Sequence, residues 1–456
     1  MTQSQFKDQG GVSTMDPSPP LRWISSKFMT RMADLRRRDK AREKAERNRA
    51  KSGLRHCVEY FHQVEDAYSQ LAVQLLPELA RRYDVDIVCH LTRGPSGKNA
   101  PEPALLLDLA RSDAAAIAPH YGLEFPDHTV APEDDMVRKS RRILANAPFG
   151  KLIERIPAVG NALFCGDADR LAELAGQWGE ASPEATTQVL DQGSARRTEL
   201  GHYSGAMFFY GGEWYWGVDR FYHLEKRLAA LGVRQADQQM IAPRPEIEHG
   251  PKTDNGTLTL EFYPSLRSPY TSVIFDATLA LARKTGINLA VRPVLPMVMR
   301  GVPATRQKGQ YIMSDAAREA DALGLSWGNI YDPIGNPVRR AYSLYPWAVT
   351  QGAGNELLGN FLNAAFREGI NTNSKRGLRR VVESAGLSWA QAQTQLDDPG
   401  WEALIESNRL AMYEFGCWGV PSYRLLGAAG ETVFASWGQD RLWLVAREIQ
   451  RVIAQV

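Results

Sequence analysis

Cysteine is scarce in this 456-residue chain: four residues, Cys57, Cys89, Cys165 and Cys417, and no C-x-x-C pair. That spacing excludes a zinc ribbon and a dithiol redox motif. Histidine stops early. All eight lie at or before His249, so Pro251 to Val456 has none. That half cannot build its own Ser-His-Asp triad or a histidine-based metal site. No run of 18 apolar residues is present, which argues against a membrane helix. The N-terminus, MTQSQFKDQGG, lacks the charged-then-apolar pattern of a secretion signal. A cytoplasmic location is therefore expected. Strong charge of one sign is missing too: the net charge is +2, so no nucleic acid partner is expected.

What is present is a globular composition, 44% hydrophobic and 23% charged, in a chain too long for one ordinary domain. A pattern also occurs twice. Trp216-Gly217-Val218-Asp219-Arg220 is echoed by Trp437-Gly438-Gln439-Asp440-Arg441. Glu59-Tyr60-Phe61 leads to Asp66-Ala67-Tyr68, and at the same spacing Glu261-Phe262-Tyr263 leads to Ser268-Pro269-Tyr270. Residues 1–55 are expected to hold a disordered segment and a basic amphipathic helix. Eleven Lys/Arg stand against four Asp/Glu from Lys27 to Lys51, and Ile24, Phe28, Met32 and Leu35 recur at helical spacing. That helix either packs along its own protein or meets an acidic surface. A first domain is expected over 56–234, a proline-containing linker over 235–256, and a second domain over 257–456.

Both halves read as strand, helix, strand, helical insert, hairpin, helix. The first strand–helix–strand unit implies a parallel pair and the hairpin adds antiparallel strands. The fold class is thus α/β, as two tandem thioredoxin-like domains each with a helical insertion. In the first half Asp66–Tyr83 reads as one helix. In the second, Pro269–Thr285, 308–323, 356–385 and 388–415 read as helical.

Ser268 lies where strand gives way to helix, followed by Pro269 at the first helical position. Both residues suit an ordinary helix start. Val420-Pro421 precedes a later strand, and a proline there suits a cis turn. In this fold that loop faces the first helix's N-terminus, leaving the Val420 backbone to pair with an extended peptide. A helix N-terminus favours an anion, and a thiolate is one. No cysteine stands at that spot, so a peptide thiol from outside would complete the site.

Phe262-Tyr263, Ser268-Pro269-Tyr270, Lys308, Tyr311, Asp315, Arg318, Gly419-Val420-Pro421 and Trp437-Gly438-Gln439-Asp440-Arg441, in that order, resemble the 2-hydroxychromene-2-carboxylate isomerases. These are relatives of the kappa-class glutathione transferases in the DsbA-like thioredoxin superfamily. The resemblance covers about 258–456 well and 57–232 weakly. It implies a glutathione-dependent isomerase or transferase acting on an aromatic or electrophilic small molecule. Ser268 would hold the glutathione thiolate as nucleophile. Pro269, Val420 and Pro421 would shape the peptide site. Asp440 would take the γ-glutamyl amine, with Trp437 and Gln439 lining the same end and Lys308 meeting a carboxylate. Family members commonly dimerise, which implies a homo-oligomer. Ser265 and Arg267 depart from the family's Asp and apolar residue. Arg267 either strengthens anion binding or is a surface charge. Cys417 reads as a packed core cysteine. Trp327, Trp347, Trp389 and Trp401 would either wall a pocket or form core.

The first copy has Asp66 for Ser268 and Ala206 for Pro421, and is expected to bind no glutathione. The competing reading is a non-catalytic thioredoxin-fold protein that binds peptides or proteins. A disulfide oxidoreductase is disfavoured because neither helix start carries cysteine.

Overall fold

The structure, a computed structural model, describes residues 15–126, 129–148, 150–235, 239–396 and 398–455. Most of the expected disordered segment lies outside these residues. Two sheets are present. The first contains β1 (Cys57–Gln63), β2 (Asp86–Thr92), β3 (Met207–Tyr210) and β4 (Glu213–Trp216) in the order β2-β1-β3-β4. The second contains β5 (Thr259–Tyr263), β6 (Asn288–Val291), β7 (Ser422–Leu426) and β8 (Thr432–Trp437) in the order β6-β5-β7-β8. In each, the first two strands are parallel and the other pairings antiparallel. The fold is therefore α/β with two thioredoxin-like sheets, as the element order implies.

Register fixes which positions correspond. Phe61 lies opposite Met207, and Tyr263 opposite Ser422. The residues one step earlier, Ala206 and Pro421, thus hold the same place beside their central strands. Each accepts an equivalent bond: Gly217 N donates to Ala206 O at 2.7 Å, and Gly438 N to Pro421 O at 2.9 Å.

Contacts divide the chain into two units. The first is Arg38–Pro245; the second joins Glu246–Val456 to the described residues up to Arg37. In the first unit, helices Pro103–Ile117, Asp134–Ala145, Leu152–Cys165, Ala168–Trp178 and Pro183–Glu199 lie between β2 and β3. In the second, six helices from Arg306–Ala322 to Gly400–Glu414 lie between β6 and β7. The helix read over Asp66–Tyr83 is two, Ala67–Val73 and Leu76–Arg82. Pro77 sits in the first turn of the second piece, where its missing amide breaks no bond. The run 356–385 is likewise two helices, Gly354–Phe366 and Lys375–Ser384, interrupted at Gly369 with φ +65°. Helix Asn336–Thr350 escapes a sequence reading because Pro337 and Pro346 punctuate it. Burial of Val338, Ala341, Tyr342 and Leu344 holds it nonetheless. Of these, Val338 and Leu344 contribute about 1.5–3 kcal/mol each on burial.

The basic N-terminal segment is also two helices, Pro19–Ala33 and Leu35–Lys51, broken at Asp34. The first belongs to the second unit. Its inward face is Arg22, Ser26, Met29 and Ala33, while Ile24 and Phe28 are exposed. The expected apolar face is therefore split: Met32 and Leu35 pack, partly buried, against the core, while Ile24 and Phe28 do not. Met29 and Ala33 join the core of the second unit, and polar side chains beside them bind backbone. Among the described residues no helix is long and apolar enough to cross a membrane.

Candidate functional site

Three loops converge at the ends of β5, β7 and β8. The first follows β5. Its chain stays paired past the strand, with Val294 N donating to Pro264 O at 2.9 Å. Leu266 N donates to Tyr342 Oη at 3.2 Å, and Ser268 N to Ser265 O at 3.0 Å. These bonds fix the turn that places Ser268 at the start of helix Pro269–Thr285. Ser268 has extended backbone, φ −91° and ψ 117°. Its Oγ accepts the Thr271 amide at 3.1 Å, a normal cap. The same Oγ lies 3.5 Å from Val420 O, so it faces the second loop. Ser268 is buried, at the cap of a 17-residue helix whose aligned dipole favours negative charge at this end.

The second loop runs from Gly416 to Pro421. The Val420–Pro421 bond is cis. Arg300, buried, donates from Nη2 to Trp418 O at 2.9 Å and from Nε to Leu295 O at 3.0 Å. Ser422 Oγ donates to Gly419 O at 2.8 Å. Gly419 is required by space: a Cβ there would stand 2.4 Å from the Trp437 indole. Among the described hydrogen bonds the Val420 amide has no acceptor. Cys417 is fully buried, as expected of a packed cysteine.

The third loop carries Trp437, Gly438, Gln439 and Asp440 into helix Leu442–Ile453. Gly438 has φ +111°, a backbone that favours glycine. Gln439 is buried, and its Nε2 donates to Glu319 Oε2 at 2.9 Å and to Asp440 Oδ1. Its Oε1 is buried without a donor. The amide of Gln439 is thus engaged in holding two carboxylates, and an acceptor remains beside them. Sequence reasoning missed Glu319. Nothing in its place on an insert helix signals that it meets this loop.

The structure brings Ser268 and Val420 together directly; Gly438 N donates to Pro421 O, and Gly419 lies against the Trp437 indole, so the loop that carries Gln439 and Asp440 leaves from beside Pro421. Lys308 lies on Arg306–Ala322, in the first turn capped by Thr305. Burial alone pulls the Lys308 ammonium below its usual range, with no acid opposing it. It is two turns from Asp315, which accepts the Tyr270 hydroxyl at 2.8 Å. Arg267, whose position suggested an aid to anion binding or a surface charge, is paired with an acid. Its Nε and Nη2 grip Asp332 at 2.7 and 3.1 Å. Against the cost of burial, this cation, the Ser25 hydroxyl and the Ile334 amide hold the Asp332 carboxyl below its ordinary range. Trp389 and Trp401 are core, and Trp327 donates to Ser272 Oγ at 2.8 Å while stacking on Phe366.

Residues 259–450 match the DSBA-like thioredoxin domain family. No curated protein matches the chain in sequence. Solved structures similar to it include a 2-hydroxychromene-2-carboxylate isomerase, 20% identical with TM-score 0.37, over 43% of this chain and 97% of that one. Another is a probable DsbA oxidoreductase from Streptomyces coelicolor, 16% identical with TM-score 0.35, over 44% and 91%. A third is the cytosolic disulfide reductase DsbM from Pseudomonas aeruginosa with GSH, 18% identical with TM-score 0.33, over 43% and 98%.

In the first unit Asp66 occupies the place of Ser268. It accepts Tyr68 N at 3.3 Å, Ser69 N at 3.1 Å and Ser69 Oγ at 2.8 Å. Burial pushes its carboxyl up to about 6. Ala206 stands where Pro421 does, at φ +54°.

Proposed function

We propose that the second domain, over 257–456, is a glutathione-dependent isomerase or transferase acting on an aromatic or electrophilic small molecule. The observation that carries this reading is the facing pair of Ser268 Oγ and Val420 O across a helix N-terminus without cysteine. A hydroxyl there is neutral, and its proton can turn from the Val420 carbonyl to a thiolate. The helix end stabilises that charge and lowers the thiol's pKa. The sulfur stays nucleophilic because it is held by hydrogen bonds and not by a covalent bond.

The rest of the peptide fits the groups at hand. The Val420 amide and carbonyl pair with the cysteinyl backbone as an added strand would, with Pro269 and Pro421 shaping the two sides. Asp440, with Glu319 and the unbonded Gln439 Oε1 near it, suits the γ-glutamyl ammonium. Trp437 borders the same end. Lys308, a partly buried cation with no acid against it, suits a carboxylate of glutathione or substrate. In the isomerase reaction the thiolate adds to the electrophilic carbon, bond rotation follows, and the thiolate leaves. Glutathione is regenerated, and no oxidant or reductant is consumed. The first domain, 56–234, serves as a structural partner that binds no glutathione. A homo-oligomer in the cytoplasm completes the proposal.

Calorimetric titration of the full chain with reduced glutathione tests it. Binding by the wild type and loss in Ser268→Ala and Asp440→Ala supports the reading. No wild-type binding, or equal binding by both variants, overturns it. Peptide binding at either unit without glutathione binding would establish the competing, non-catalytic reading.

A further inference from the structure

Helix Pro19–Ala33 grips one short stretch of the second unit, Ile330 to Ile334, along its backbone. Arg22 Nη1 donates to Asp332 O at 3.0 Å and to Ile334 O. Asp332 N donates to Ser26 Oγ at 2.8 Å. Thr30 Oγ1 accepts Ile330 N at 3.0 Å and donates to Ile330 O at 3.2 Å. Ser25 Oγ reaches the side chain itself, donating to Asp332 Oδ2 at 2.8 Å. Arg22, Ser26 and Asp332 are all buried, so these bonds are shielded from water.

The Asp332 carboxylate passes this hold onward. Its Oδ1 accepts Ile334 N and Arg267 Nε, and its Oδ2 accepts Arg267 Nη2. Arg267 is the residue immediately before Ser268. A two-point guanidinium–carboxylate pair fixes orientation as well as distance. Two other bonds to the same turn are the Leu266 amide on Tyr342 and the Ser268 amide on Ser265. A buried acid fixed on one side by the N-terminal helix therefore fixes, on its other side, the backbone that aims the Ser268 hydroxyl.

We infer that the N-terminal helix positions the thiol-binding loop of the second domain through Asp332 and Arg267. Asp332 is a positioning residue: it touches no ligand and acts through Arg267. The inference rests on the glutathione reading for its functional consequence, but the structural link can be measured without glutathione. The pair also balances the charge of the Arg267 guanidinium next to Ser268.

The experiment uses the full chain with Asp332→Asn, Arg267→Gln and the apolar pair Arg267→Met/Asp332→Leu, which leaves no bare charge behind. Amide hydrogen exchange at Leu266 and Ser268 reads the loop, and glutathione titration reads the site. In each folded variant, exchange at both amides is expected to rise about tenfold or more. Protection inside helix Pro269–Thr285 is expected to stay unchanged. Glutathione affinity should fall about tenfold, because misplacement of a reacting group by a fraction of an ångström is costly. Ser25→Ala, which removes only the helix's bond to the carboxylate, should give a smaller loss of the same kind. If Asp332→Asn does not fold, the apolar pair decides. Wild-type exchange and affinity in that pair would overturn the inference. If the wild type binds no glutathione, the functional reading fails, and exchange alone upholds or overturns the positioning.

Discussion

Asp66 and Ser268 stand at the same point of two sheets with the same strand order, each capping the helix that follows the first strand. One is an acid that spends its oxygens on Tyr68, Ser69 and the Ser69 hydroxyl. The other is a hydroxyl with one amide bond, facing a carbonyl of a neighbouring loop. The frame around them is common, down to the bonds from Gly217 and Gly438. What differs is whether the helix end already holds its own negative charge. A helix N-terminus can serve as a cap or as an anion site, and a carboxylate commits it to the first.

The largest break in this comparison is Ser268→Asp. Two like charges about 4 Å apart repel by about 4 kcal/mol at an effective dielectric of 20. Glutathione affinity should therefore fall at least 100-fold, by about 3 kcal/mol or more. Asp66→Ser should not create a second site, since Ala206 still stands in place of Pro421. A calorimetric stoichiometry of two in Asp66→Ser would show that the cap residue alone makes the difference.

The next contrast is how each unit seats the tryptophan of its Trp-Gly-x-Asp-Arg motif. Trp216 packs edge-on against Tyr68, ring centres 4.8 Å apart. Trp437 lies 4.9 Å from Trp418 and under Gly419, where the first unit has Ser204. Gly419→Ser should cost about 1–3 kcal/mol, the usual penalty for overpacking. It should also weaken glutathione binding by shifting Val420. Thermal denaturation showing wild-type stability would mean that the indole moves aside freely.

The element order, the parallel pairs and both hairpins were legible because they follow from local patterns: alternation, turn residues and the spacing of the repeated motifs. The Ser268–Val420 encounter followed from the fold that this order implies. The partners that fix the site were not. Glu319 reaches Gln439 from an insert helix, and Asp332 reaches Arg267 from a loop between helices. Such pairs depend on how an insert folds back, which periodicity does not encode. The N-terminal helix misled for a related reason. Its apolar side chains Ile24 and Phe28 are exposed, while Arg22 and Ser26 are buried on backbone carbonyls and an amide. A hydrophobic pattern cannot anticipate a face recognised by hydrogen bonding.

Asp66 offers a pH test of intermediate size. Burial raises its carboxyl from 3.8 to about 6, so between those values the folded chain holds a proton that the unfolded chain has released. Stability from this group is present below the ordinary value and is lost as pH rises through about 6. Asp66→Asn keeps a capping oxygen and removes the titration. It should gain up to about 2 kcal/mol over wild type between pH 4 and pH 7. Urea denaturation at the two pH values measures the difference. Ser268→Asn should show no such pH-dependent gain. Equal differences for Asp66→Asn at both pH values would mean that the carboxylate is well accommodated when charged, and the contrast with Ser268 would lose its electrostatic basis.

The smallest effect sharpens what the two units share. Tyr68 Oη donates to Asp113 Oδ2 at 2.8 Å, and Tyr270 Oη to Asp315 Oδ2 at 2.8 Å. Both pairs are 45 residues apart in sequence and both acids are buried. Each ties the helix after a unit's first strand to its insert. Removing either hydroxyl takes a donor from a buried carboxylate, which costs about 1–3 kcal/mol. Tyr270→Phe sits near the low end, because Arg318 still donates to Asp315 at 2.7 Å. Both Tyr68→Phe and Tyr270→Phe should then lower stability within this range, Tyr270→Phe by about 1 kcal/mol, in urea denaturation. Glutathione affinity in Tyr270→Phe should stay within about threefold of wild type, since this hydroxyl is engaged by Asp315. A tenfold loss of affinity at unchanged stability would place the Tyr270 hydroxyl on the ligand, and the tie would then belong to the site and not to the shared frame.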